Sequence, residues 1–195
     1  LDSIHWLSRL GKTDKVSELT FSLSNFYKLS LSGGKDTITV EETIDLIKEY
    51  LNIQRIRYDD KFLPEIDVEE GTAGYKVLPL LIQPLVENSI SHGIETKKGQ
   101  GYIYVGVRSV DQNILFTIKD NGSGIRPEKL ESIRKSLSSD DVQSGDNFAL
   151  INIQERIKLY FGEQYGLIIY SEPDVGTTAR IHLPVKSLDE FKNKE

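Results

Sequence analysis

Cysteine and methionine are absent from the 195 residues, and histidine occurs three times. Without cysteine there is no disulfide scaffold, no thiolate zinc site and no cysteine nucleophile. Three histidines leave little for a multi-histidine metal centre. A chain that opens on Leu1 and holds no methionine reads as an excised piece, with anchoring or regulatory segments expected upstream. No charged stretch followed by an apolar core marks a signal peptide. Long apolar runs are also missing, since the best one, Tyr75 to Val86, is broken by Pro79 and Pro84 and is too short to span a bilayer. Positive charge is in deficit, with 24 basic against 30 acidic residues and a net charge of −6, which argues against a broad nucleic-acid footprint. What remains is an ordinary globular balance of 38% apolar and 28% charged residues, enough for one large domain or one domain with a helical appendage.

The first third has helical periodicity. Leu1, Ile4, Leu7 and Leu10 form one stripe, interrupted near Gly11, and Val16, Leu19, Leu23 and Phe26 form a second. Ser32-Gly33-Gly34-Lys35-Asp36 is a turn cluster. Thr39-Val40-Glu41-Glu42 fits a capping box, opening a helix with Ile44, Ile47, Leu51 and Tyr58 on one face. Two amphipathic helices joined by a short glycine turn predict an antiparallel hairpin, which needs a further layer or a second copy to cover its stripes.

From about Lys61 the pattern changes. Strands are predicted over Phe62 to Val68, Tyr102 to Val107, Ile114 to Ile118, Leu167 to Tyr170 and Thr178 to Leu183. Helices are predicted from Pro79 on through the apolar segment to Ile94, over Pro127 to Leu137, and over Phe148 to Phe161, ending at Gly162. Mixed strands and helices without regular alternation give an α+β layered domain with helices on one face of a sheet. The division expected is a helical hairpin over 1–60, a catalytic domain over 61–186 and a charged tail over 187–195.

Four polar clusters interrupt this framework. In Gln83-Pro84-Leu85-Val86-Glu87-Asn88-Ser89-Ile90-Ser91-His92-Gly93, positions 88 and 92 share a helix face, with 87 and 91 beside them. Their oxygen atoms suit a hard cation such as Mg²⁺, and a polar helix end stopping at His92-Gly93 is the alternative. Asp120-Asn121-Gly122-Ser123-Gly124-Ile125 follows a strand and offers a fixed carboxylate beside two glycines, which also describes an ordinary turn. The polar stretch from Ser138 leads through Gly145 and Asn147 into a helix N-terminus, the geometry of a phosphate loop or of a plain one. Gly176-Thr177-Thr178 opens the last strand, as a hairpin turn would. No Walker loop is present.

The order of these clusters resembles the GHKL ATP-binding fold of histidine kinases, with its N box followed by three glycine boxes. Leu1-Asp2-Ser3-Ile4, the Gln83-to-Asn88 form of the N box, and Asn152-Ile153-Gln154-Glu155-Arg156-Ile157 are similar to the LytS/YesM-type sensor kinases. The resemblance implies an α/β sandwich with a mixed sheet and ATP and Mg²⁺ as ligands. It assigns Asn88 to the metal, Glu87 to orienting or polarising the reacting groups, and Ser91 and His92 to the phosphate side. It assigns Asp120 to the adenine amino group, with Gly122, Gly124 and Ile125 around the base and Thr177 and Thr178 closing that end. Lys97 and Lys98 would add charge near the phosphates, and the loop from Ser138 to Asn147 would be a lid. Asn147 and Ala149 depart from the glycines usual there, which bears on lid closure.

The same resemblance implies phosphoryl transfer from ATP to a histidine, a response-regulator aspartate as the next acceptor, and a homodimer through the helical hairpin. The family's acceptor box falls just upstream of Leu1, so autophosphorylation by this chain alone is not expected, and any membrane anchor would lie in missing segments. Other GHKL ATPases and a non-catalytic nucleotide-dependent scaffold are the alternatives.

Overall fold

The structure, a computed structural model, describes residues 2–31, 35–138 and 148–185. The Ser32-Gly33-Gly34 turn, the loop residues 139–147 with Gly145 and Asn147, and the charged tail 187–195 lie outside the described residues.

Three helices come first: α1 (Asp2–Arg9), α2 (Thr13–Ser30) and α3 (Val40–Arg57). Between α1 and α2 the chain reverses at Gly11, whose φ of +69° suits glycine. α2 and α3 run antiparallel, as Asn25 Nδ2 to Glu49 (3.0 Å), Asn52 Nδ2 to Ser22 Oγ (2.8 Å) and Lys15 Nζ to Asp59 (3.0 Å) show by their opposed numbering. Leu7, Leu19 and Ile56 make a small core of their own, with Ile4, Val16 and Ile53 packed against it. α3 begins at a complete capping box. Thr39 Oγ1 accepts from the Glu42 N–H at 2.9 Å, and the Glu42 carboxylate accepts from the Thr39 N–H at 2.7 Å. That bond, with Lys35 nearby, holds the Glu42 carboxyl below its ordinary range. Just before α3, the two-residue strand β1 (Ile38–Thr39) pairs antiparallel with β3 (Lys76–Val77).

The main sheet contains β2 (Phe62–Val68), β4 (Gly101–Val110), β5 (Asn113–Asp120), β6 (Gly166–Glu172) and β7 (Gly176–Pro184), in the order β2-β4-β5-β7-β6. Only the β2–β4 pair is parallel, so the sheet is mixed. β4 and β5 meet through Asp111 and Gln112, both at positive φ, the backbone of a type I′ hairpin turn. Period-two alternation puts Ile103, Val105 and Val107, then Ile114, Phe116 and Ile118, then Ala179, Ile181 and Leu183 on one buried face. That face packs under α4 (Gln83–Asn88), the π-helical turn Ser89–Ile94 that continues it, α5 (Pro127–Ser138) and α6 (Phe148–Phe161). Ile44, Ile47 and Leu51 of α3 join the same core, so the third helix buries its stripe against the sheet layer rather than only against α2.

β2 keeps its predicted bounds, and β4 to β7 run one to three residues beyond the periodic stretches, because backbone pairing continues where side-chain alternation fades. The larger correction concerns Pro79. Helix α4 starts at Gln83, since Leu80 adopts a left-handed φ of +57° and Pro84 takes the first turn. His92-Gly93 is not a helix stop either, because helical backbone passes through both to Ile94. No helix of the described residues is long and apolar enough to cross a membrane.

Replacing Thr39 by alanine removes one half of the capping box. It is expected to lower unfolding free energy by about 1 kcal/mol in urea titration, with the slope against urea unchanged.

Candidate functional site

α4 and its π-turn present one face to the sheet. Leu85, Asn88, Ser89, His92 and Gly93 fall at helical spacing and all line a cavity of about 650 Å³. The π-turn fits more than one residue per ordinary turn at this face, a local irregularity that recurs at functional sites. The opposite wall of the cavity comes from Gly124 and Ile125 after β5, Ile133 on α5, Leu150 on α6, and Ile169 and Ala179 on the sheet. Its size and apolar walls suit a small organic ligand.

Asp120 ends β5 on that cavity and is 3% exposed. Its Oδ1 accepts from the Gly122 N–H at 2.8 Å and from the Thr177 N–H at 3.2 Å. Burial pushes the carboxyl above its ordinary range, while the Gly122 N–H, the Ser89 hydroxyl, the Thr177 N–H and the Lys97 charge pull it back. The outcome is a charged-capable group held without a full ion pair, the kind of arrangement that marks binding sites.

The turn after Asp120 is held by backbone contact. A Cβ on Gly122 would fall 2.4 Å from the Gly93 Cα, so the turn and the π-turn touch where only glycine fits. Gly124 takes φ +65°, and a side chain there would fall 2.0 Å from the Glu172 carbonyl oxygen. Ser123 N–H donates to the Gly93 carbonyl at 3.1 Å, and Ser123 Oγ donates to the His92 carbonyl at 3.0 Å. Ser171 Oγ accepts from the Ile125 N–H and meets Thr177 Oγ1, both at 2.9 Å. These bonds fix the turn to α4 on one side and to the β6–β7 hairpin on the other.

Six of the residues singled out from the sequence line the cavity together: Asn88, His92, Asp120, Gly124, Ile125 and Thr177. Gly122 lies behind the lining, against Gly93. Glu87, Ser91 and Thr178 are not among the lining residues. Ser91 Oγ turns back to the Glu87 carbonyl at 2.9 Å, and the Glu87 carboxylate accepts from Gln83 Nε2 at 2.7 Å. Lys97 reaches the Asn121 carbonyl rather than the cavity, and Lys98 is exposed and away from the lining. Asn147 lies outside the described residues.

Sequence reasoning missed Ser89, Arg126 and Lys129. The helical period that placed 88 and 92 also places 89 on their face. The two cations follow the glycine turn directly, at the entry to α5, where their charge was the available signal. Among the described residues no group of three or more His, Asp or Glu side chains is arranged to hold a metal ion. Asn88 therefore offers a single amide oxygen.

A helix-covered mixed sheet thus holds a cavity lined by both Asn88 and Asp120. The family model described as histidine kinase-, DNA gyrase B-, and HSP90-like ATPase matches residues 76–187, and the histidine kinase model matches residues 1–62. The chain belongs to the histidine kinase-, DNA gyrase B- and HSP90-like ATPase family, and its relatives place it beside the LytS and YesM sensor kinases.

The sensor histidine kinase YesM of Bacillus subtilis is 31% identical over 187 residues, covering 96% of this chain and 31% of that protein. The sensor protein LytS of Staphylococcus saprophyticus is 33% identical over 194 residues, covering 98% and 32%. The chain thus spans about a third of the length of the curated relatives it matches.

Among solved structures, the histidine kinase domain of a blue-light activated kinase from Erythrobacter litoralis has a TM-score of 0.54 at 16% identity. It covers 93% of this chain and 79% of that one. The histidine kinase domain of the E. coli osmosensor EnvZ has a TM-score of 0.51 at 21% identity, covering 78% and 89%. Both show the fold.

A carboxyl whose folded pKa lies above its unfolded value favours folding at low pH, and that advantage is lost as pH rises through the folded pKa. Asp120 is such a group. Asp120→Asn is therefore expected to raise the melting temperature of the ligand-free protein at pH 8, with the gain shrinking toward pH 4, as scanning calorimetry at both pH values would show.

Proposed function

We propose that the chain is the catalytic and partial dimerisation region of a two-component sensor histidine kinase, binding Mg²⁺-ATP in the Asn88–Asp120 cavity. The observation that carries this is Asp120, the one buried carboxylate among the described residues, at an apolar cavity that Asn88 also lines. Ile125, Ile133 and Ile169 offer flat apolar surface to a purine, and Asp120 accepts from its exocyclic amine. A Cβ on Gly93 would fall 2.9 Å from Asp120 Oδ1, so glycine there keeps a side chain off that flank of the carboxylate.

The residues fit Mg²⁺ as this cation is usually held, by one or two protein oxygens with phosphates and water completing the octahedron. Asn88 would supply that oxygen, and the ion, when bound, neutralises charge on the transferring phosphoryl group. His92, Arg126 and Lys129 line the same cavity and add polar and positive groups suited to phosphates. Phosphoryl transfer asks the protein mainly for positioning and electrostatic support, which a cavity of this kind supplies.

In this reading residues 1–60 form the helical region and 61–186 the catalytic domain. Thr178 and Ser91 support the two ends from just outside the lining. The γ-phosphoryl group passes to a histidine and then to a response-regulator aspartate. A homodimer through the helices is supported by Trp6, Phe21 and Tyr27, which are 61%, 68% and 59% exposed on α1 and α2.

Calorimetric titration with ATP tests the site. Binding is expected to tighten on adding Mg²⁺, and Asn88→Ala is expected to abolish that dependence while the fold is retained. Unchanged Mg²⁺ dependence would remove Asn88 from the metal. In the same assay Asp120→Asn is expected to weaken ATP by at least about tenfold and GTP by less, because a carboxylate acceptor becomes an amide. Equal losses for both nucleotides would remove Asp120 from base recognition.

A further inference from the structure

The peptide group that joins Asn121 to Gly122 is held at both ends. The Gly122 N–H donates to Asp120 Oδ1 at 2.8 Å. The Asn121 carbonyl oxygen accepts from the ammonium of Lys97. One amide therefore stands between a cation and a carboxylate, and hydrogen bonds in such a chain polarise and strengthen one another. Lys97 is half-buried and comes from the segment just beyond the π-turn Ser89–Ile94. It does not line the cavity. Its charge also pulls the Asp120 carboxyl down against the upward push of burial.

The residues on either side of this peptide are anchored. Asn121 is fastened to β4 twice. Its N–H donates to the Tyr102 carbonyl at 3.2 Å, and its Oδ1 accepts from the Tyr102 N–H at 2.8 Å. Gly122 is pressed on Gly93, where a Cβ would fall 2.4 Å from the Gly93 Cα. These contacts leave open the tilt of the peptide plane, which turns when ψ of one residue and φ of the next change in opposite senses. Glycine at 122 makes that turn easy. Tilting the plane would take the Gly122 N–H off Asp120 and leave the Thr177 N–H, at 3.2 Å, as the remaining backbone donor to Oδ1. Both backbone bonds fall on Oδ1, so together they fix the rotation of the carboxylate about its last bond.

We propose that Lys97 is a positioning residue for base recognition. By holding the Asn121 carbonyl it keeps the Gly122 N–H on Asp120, and so sets the direction in which the carboxylate meets the exocyclic amine of a purine. This rests on the ATP reading of the cavity and deepens it. Lys97 acts through the turn and touches neither base nor phosphate. A cation serving phosphates would support ATP and GTP alike, because the two share a triphosphate. A cation that aims Asp120 separates them, because guanine presents a carbonyl where adenine presents its amine.

Calorimetric titration of ATP and GTP into the wild-type chain and three variants tests this, with the ratio of the two dissociation constants as the readout. Lys97→Met and Lys97→Gln carry no charge and end one atom short of the lysine nitrogen, while Lys97→Arg keeps both charge and donors. In Lys97→Met, ATP binding is expected to weaken by about tenfold while GTP stays within about twofold, so that preference for ATP falls. Lys97→Gln is expected to do the same and carries the test if Lys97→Met fails to fold. Lys97→Arg is expected to recover most of the preference. Equal weakening of ATP and GTP would overturn the assignment, since phosphate contact or general loosening gives that result. An unchanged ratio, or an arginine variant no better than methionine, would overturn it too. A wild-type chain that binds neither nucleotide would instead bring down the ATP reading itself.

Discussion

The Asp120 carboxylate is buried at a strand end, and most of the site's geometry follows from the need to accommodate it. A carboxylate at 3% exposure must find donors within the fold, and it draws them from separate elements. The Gly122 N–H comes from its own turn, the Thr177 N–H from the start of β7, the Ser89 hydroxyl from the helix above, and the Lys97 charge from the segment beyond that helix. Those elements converge only if the turn after β5 can touch the helix backbone. Gly122 against Gly93 permits it, and the Ser123 bonds to the His92 and Gly93 carbonyls hold it. The cavity is the space left between this convergence and the apolar sides of α5 and α6.

The helical region is tied into that arrangement. α3 places Ile44, Ile47 and Leu51 in the core that also holds the sheet and α4, and half-buried Tyr50, on the same helix, packs against that core within the field of the Glu87 charge. Phe26 of α2 packs on the Tyr50 ring with centroids 6.0 Å apart. A contiguous set of side chains therefore runs from the outer helix through α3 to the helix that lines the cavity. α6 is fixed to the same frame, with Arg156 donating to the Pro79 carbonyl at 3.0 Å and Gln154 accepting from the Leu167 N–H at 2.7 Å. Both residues lie in the Asn152-to-Ile157 stretch, and in the structure they hold elements together at a distance from the cavity.

Much of the fold was legible because its signals are local. The alternation in Ile103, Val105 and Val107, the capping box at Thr39 and the glycine stop at Gly162 each depend on neighbours within a few residues. The start of α4 was misread because Pro79 carries a helix-start signal, while the left-handed backbone at Leu80 is set by the packing of the preceding segment. In the site, Asn88 and His92 were found from their helical spacing, and Asp120 from its place after a strand. Ser89 escaped notice because a serine beside an asparagine looks like any polar helix residue until the carboxylate from β5 arrives next to it.

The sequence by itself determined the strands, most of the helices, the absence of thiol chemistry and the polar clusters that set the family resemblance. These follow from periodicity and residue type, which act over one or two turns of chain. Only the tertiary structure decided that residues 88, 120 and 177 share one cavity, that Lys97 turns to a backbone carbonyl, and that Glu87 bonds to Gln83 while its neighbour lines the ligand space. The reason is that these relations are set by how the sheet twists under the helices and where two glycines let backbones meet, and no local pattern encodes the distance between segments thirty to ninety residues apart.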